Sequence, residues 1–136
     1  MAGYSQTPLV KKLGIREDYS CFIANAPASY FEWITPLPRS IEVKDQLSGQ
    51  FDFIHLFVQE QKVFTKEFIR LKKHLKENGM LWISWPKKSS KVPTDLDENI
   101  IRDFGLRNGL VDVKVCAVDD IWSGLKFVVR LKDRKT

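Results

Sequence analysis

The chain is short of the residues that mark several common activities. Its only cysteines, Cys21 and Cys116, are too few for a disulfide scaffold and form no Cys-x-x-Cys pair. Both sit in apolar, strand-like runs and read as buried free thiols. The two histidines, His55 and His74, are far apart and have no matching carboxylate cluster, so no metal site is expected. Ser5, Ser20, Ser84 and Ser123 lack the Gly-x-Ser-x-Gly elbow of an esterase. No Gly-rich phosphate loop occurs. No apolar run approaches the ~20 residues of a membrane span. Residues 1–13 lack the apolar centre of a signal peptide, so a cytoplasmic location without a membrane partner is expected.

What is present describes a packed domain. A hydrophobic share of 43% and an aromatic share of 12% suffice for a core, and 29% charged residues argue against disorder. One domain over residues 1–136 fits the length, with 1–18 as an N-terminal docking helix and linker. A net charge of +5 and a pI near 9.2 permit a polyanionic partner. The lysines are nevertheless spread over several elements, without an RNA-binding aromatic signature or a helix-turn-helix pattern, which makes a nucleic-acid partner the weakest of three readings.

Along the chain, Thr7, Pro8 and Gly14 suit the cap, first position and left-handed end of a short helix carrying Leu9, Val10 and Leu13. Residues 19–24 form an apolar strand ended by Asn25-Ala26-Pro27, and Pro27 opens a short helix with Tyr30, Phe31, Trp33 and Ile34. Residues 41–43 read as a short edge strand. Residues 51–58 form a buried strand in which His55 is a hydrogen-bonded core histidine. Phe64, Phe68, Leu71 and Leu75 mark an amphipathic helix over 60–76, stopped by Asn78-Gly79, with His74 on its polar face beside Glu67 and Arg70. Residues 80–85 are the next strand. Thr94-Asp95-Leu96-Asp97 has capping-box spacing ahead of a helix to about 108. Residues 110–118 and 125–131 form a closing antiparallel hairpin through 119–124, where Gly124 suits a positive φ and the pair Asp119-Asp120 a turn.

Strand–helix–strand alternation with a closing hairpin specifies an α/β, three-layer Rossmann-like fold. Its sheet is mostly parallel, of five to six strands, with an antiparallel C-terminal hairpin strand. Phe53 or Ile54, Leu56, Val58, Leu81, Ile83, Val113 and Val115 should be buried. The order resembles a methyltransferase fold shortened by about one strand–helix unit.

Several stretches also resemble a family. Gly3-Tyr4-Ser5, Thr7-Pro8-Leu9, Lys11-Lys12-Leu13-Gly14-Ile15, Trp85-Pro86-Lys87-Lys88-Ser89, Thr94-Asp95-Leu96, the run from Val111 to Asp119 and Trp122-Ser123-Gly124-Leu125-Lys126 are similar, as a set, to a bacterial family of short proteins, the domain-of-unknown-function 3052 family. The resemblance spans all but about residues 36–50. It implies a Rossmann-like fold and carries over no catalytic residue.

In such folds ligands bind outside the carboxyl ends of the strands. Lys87, Lys88, Ser89 and Ser90, with Lys91, leave one strand end ahead of a helix and have the composition of an anion site; a solvated loop would carry the same residues. Lys126, if it begins a neighbouring strand, joins them, with Trp122, Ser123 and Asn25 completing a candidate rim. Asn25-Ala26-Pro27 stands where a dinucleotide or methyl-donor site has glycines, and Pro27 removes an amide donor. Tight S-adenosylmethionine binding is therefore not expected, although Glu42 or Asp45 could serve as an acidic ribose ligand. The leading expectation is a non-enzymatic binding domain, without cofactor or catalytic residues, for an anionic small molecule or protein at that rim. The alternative is a divergent S-adenosylmethionine-dependent methyltransferase or other small-molecule transferase.

Overall fold

The structure, a computed structural model, describes residues 7–135. The parts of the expectations that fall on Gly3, Tyr4 and Ser5 lie outside them. Helix α1 (Leu9–Leu13) is followed by β1 (Ser20–Ala24), α2 (Tyr30–Trp33), β2 (Glu42–Lys44), β3 (Phe51–Phe57), α3 (Gln61–Lys72) and β4 (Leu75–Pro86). Then come α4 (Glu98–Arg107), β5 (Leu110–Ala117) and β6 (Trp122–Val129). One six-stranded sheet runs in the order β2-β1-β3-β4-β6-β5. The pairs β2–β1, β1–β3 and β3–β4 are parallel, while β6 is antiparallel to both β4 and β5. This is the expected mostly parallel Rossmann-like fold with its closing hairpin.

The three layers follow from the two-residue period of the strands. Ile54 and Leu56 of β3, with Val58 just after it, join Leu81 and Ile83 of β4 under Phe64, Phe68 and Leu71 of α3 and Ile101 of α4. Phe53 and Phe57 point the other way, with Met80 and Trp82, against Val10 and Leu13 of α1 and Tyr30 of α2. On that second face His55 is wholly buried, sharing hydrogen bonds with Tyr30 Oη (2.9 Å) and Ser84 Oγ (2.7 Å). Burial holds it neutral, with its pKa pushed down to about 3. Cys21 is buried, with its thiol pushed up to about 12 by burial, and Cys116 is half-buried.

Four local expectations are corrected. Helix α3 stops at Lys72 rather than at 76, because Leu75 already pairs with Phe51 and the His74 carbonyl accepts from Phe51 N at 2.7 Å. Sheet pairing overrides helical periodicity there, and His74 bonds the Gly49 carbonyl at 2.7 Å. Strand β4 is irregular after Leu75, its next partner pair with β3 being Met80 against Phe53, and at Gly79 a Cβ would lie 2.9 Å from the Phe51 carbonyl oxygen. The cap of α4 is Asp97, whose Oδ1 accepts from Ile100 N at 2.9 Å, and not Thr94. Val113 and Val115 are exposed (54% and 46%), because β5 is an edge strand with an irregularity between Asp112 and Lys114. Gly124 lies inside β6 without a positive φ; its missing side chain instead admits Trp82, whose Cε3 would be 3.1 Å from a Cβ.

Candidate functional site

The sheet order reverses between β1 and its neighbours: β1 leads to β2 on one side, and β3 lies on the other. Adjacent chain segments leave this point in opposite directions, which opens a crevice at the carboxyl ends. An open cleft of about 370 Å³ lies there, lined by Asn25 and Pro27 after β1, Phe57 to Glu60 at the end of β3, Val63 of α3 and Trp122 at the start of β6. Its apolar part is firm. The Phe57 ring stacks on His55 at 4.4 Å and meets the Trp122 ring edge-on at 5.0 Å. Asp119 fixes Trp122 by accepting from the amides of Ile121 (2.9 Å) and Trp122 (2.8 Å). That is the turn-forming role expected of the acidic pair.

Asn25 takes a left-handed conformation, φ 60°. The turn leaving β1 is thus the glycine-like turn whose residue type looked missing in the sequence, and asparagine is among the few residues that enter it readily. Pro27 still withholds an amide. Of the two acidic residues considered as ribose ligands, Glu42 begins β2 at the far end and pairs with Lys44 at 3.4 Å. Asp45 directly follows β2 at the carboxyl rim and is exposed.

A second open space, about 510 Å³, adjoins the cleft and shares Gln59 and Glu60 with it. Its other wall, Pro93 to Asp95, is clamped onto the β3–α3 junction. Thr94 Oγ1 donates to the Gln59 carbonyl at 2.6 Å, and Asp95 Oδ1 accepts from Gln61 N at 2.7 Å. The Asp95 carboxylate therefore occupies the first free amide of α3, where the helix dipole favours negative charge. The helix that the capping-box spacing places after Thr94 begins at Glu98.

The predicted rim residues divide. Lys87 and Lys88 do leave β4 beside Trp122, since Pro86 pairs with Trp122 and Lys87 N donates to the Ile121 carbonyl at 2.8 Å. Ser89 is exposed, while the Ser90 hydroxyl is spent on its own turn, donating to the Lys87 carbonyl (2.6 Å) and accepting from Val92 N (3.2 Å). Ser123 lies in β6 between Trp85 and Ala117. Lys126 does not belong with them. Strand β6 starts at Trp122, so Lys126 pairs with Trp82 and sits four residues, about 13 Å, back from the rim. Gln59 and Glu60 stand at a carboxyl strand end, where the sequence already places a ligand, but are not among the expected rim residues, and Val63 carries no such signal in the sequence.

Among the described residues, no helix is long and apolar enough to cross a membrane, and no group of three or more His, Cys, Asp or Glu is placed to hold a metal. No family model matches the chain, and no curated protein matches it. Solved structures do. An S-adenosylmethionine-dependent methyltransferase from Aquifex aeolicus aligns with a TM-score of 0.61 at 15% identity, over 89% of this chain and 88% of its own. Magnesium protoporphyrin IX methyltransferase from Synechocystis PCC 6803, with bound SAM, aligns at 0.58 and 12% identity, over 90% and 74%. An S-adenosylmethionine-dependent methyltransferase from Clostridium acetobutylicum ATCC 824 aligns at 0.54 and 9%, over 87% and 85%. At these identities the likeness concerns the fold, which is that of methyltransferases.

Proposed function

We propose that this chain is a divergent methyltransferase-type domain whose cleft between β1 and β3 binds S-adenosylmethionine or its demethylated product. The observation that carries the reading is the left-handed turn at Asn25. It bends the chain away from β1 at the switch point and leaves a cleft open there, with Asp45 twenty residues on at the end of β2. In this reading Asp45 accepts hydrogen bonds from the ribose hydroxyls, and the planar base packs against Val63 and the Phe57–Trp122 pair. Glu60 is the carboxylate among the described residues that line the cleft. The missing Pro27 amide and the absence of glycine weaken the site, so affinity should be modest, with a dissociation constant on the order of 100 μM. The fold supports this over a domain that recognises only an anion, because Lys126 has left the rim and Ser90 is engaged in its own turn.

Calorimetric titration with S-adenosylmethionine and with S-adenosylhomocysteine tests it. Binding of either, weakened about tenfold by Asp45→Ala, is the expected result, a loss matching one hydrogen bond to a charged group. No heat at millimolar ligand with the folded protein would overturn the assignment, as would binding indifferent both to Asp45→Ala and to Trp122→Ala.

A further inference from the structure

The lysine that left the rim reappears in a second cationic group. Lys126 on β6 lies directly opposite Lys114 on β5. Like charges placed opposite each other on neighbouring strands repel, and sheets generally avoid the arrangement. Helix α1 and the segment after it bring two more cations to the same face. Lys114 Nζ donates to the Lys12 carbonyl at 2.9 Å, and Lys12 Nζ reaches back to the Ala117 carbonyl at 3.4 Å. Lys126 Nζ lies beside Gly14, 3.7 Å from where a Cβ there would stand. Burial, and the charges of Lys114 and Arg16, hold its pKa below the ordinary lysine value.

None of the ion pairs among the described residues involves Lys12, Arg16, Lys114 or Lys126. The Lys12 carbonyl near the end of α1 accounts for Lys114, and the Ala117 carbonyl at the end of β5 accounts for Lys12. They do not account for Lys126, which is half-buried and has no hydrogen-bond partner among the described residues, or for Arg16. A chain that maintains four cations without a carboxylate partner on one face, two of them in direct cross-strand register, is relieved of that repulsion by a compact anion held among them.

We infer that Lys12, Arg16, Lys114 and Lys126 form a phosphate-binding site on the α1 face of the β5–β6 hairpin, separate from the cleft. A phosphate suits it because the lysine ammonium groups supply several donors each, and a guanidinium binds two oxygens at once. The phosphate is that of a small phosphorylated compound or of a nucleic-acid backbone. The site stands independently of methyl-donor binding, since its residues line no part of the cleft.

Thermal unfolding with inorganic pyrophosphate, against sodium chloride of equal ionic strength, is the test. The parent should gain about 5 °C at saturating pyrophosphate beyond the chloride control. Lys114→Gln/Lys126→Gln should lose that gain and, in dilute buffer without phosphate, melt at or above the parent temperature because the repulsion is gone. Lys87→Gln/Lys88→Gln should keep the gain. A fluorescently labelled single-stranded oligonucleotide separates the sources: binding that the Lys114/Lys126 variant abolishes identifies a nucleic-acid backbone, and pyrophosphate stabilisation without oligonucleotide binding identifies a small phosphate compound. Equal pyrophosphate stabilisation of the parent and the Lys114/Lys126 variant, or none in the parent, would overturn the site.

Discussion

Acidification should weaken the native state through His55. The imidazole is fully enclosed by Tyr30, Phe53, Phe57 and Trp82, and its two nitrogens are matched to two hydroxyls, an arrangement complete for the neutral ring. Its pKa falls from 6.5 in the unfolded chain to about 3 in the native one. Between those values the unfolded chain binds a proton that the native chain refuses, so stability is complete above pH 6.5 and declines as the pH falls, by about 1.4 kcal/mol per unit. From pH 7.5 to 4.5 the loss is about 3 kcal/mol, a large share of the 5–15 kcal/mol typical of a domain. Carboxylates add their own acid dependence, so the measurement is a difference. Urea unfolding of the parent and of His55→Gln, followed by tryptophan fluorescence, should give a parent advantage that shrinks by about 3 kcal/mol over that range. A difference that stays constant with pH, with both proteins folded throughout, would refute the reasoning.

Three further outcomes are expected from chemical denaturation. Gly105→Ala on α4 should cost about 3 kcal/mol or more, because its Cβ would fall 2.1 Å from Phe127 Cε1 and push the helix off β6; Gly124→Ala, 3.1 Å from Trp82, should cost less. Asp97→Ala should cost about 1 kcal/mol by uncapping α4, and Asp97→Asn should restore nearly all of it. Tyr30→Phe should cost about 1–3 kcal/mol by leaving a buried His55 nitrogen unpaired.

Sequence by itself determined the architecture. The two-residue and 3.6-residue periods of the apolar positions identify the strands and the two longer helices, and alternation along the chain requires parallel strands with crossovers. It also placed His55 in the core, because a lone histidine in the run Phe51–Phe57 has no route to solvent. The Lys87–Lys88 rim position followed from their place after a strand.

What sequence left open depends on partners distant along the chain. The end of α3 is set by Phe51, more than twenty residues earlier, and periodicity within a helix cannot register that competition. The role of Gly124 is set by the Trp82 ring across the sheet. Asn25 looked like a lost glycine by residue type, yet its backbone adopts the glycine conformation, a property of φ rather than of composition. Lys126 illustrates the point most directly. Beginning β6 at Trp122 instead of Leu125 carries Lys126 about 13 Å from the rim and sets it against Lys114. Which charges meet is decided by strand register, and register is fixed by pairing across the sheet, which a linear pattern does not contain.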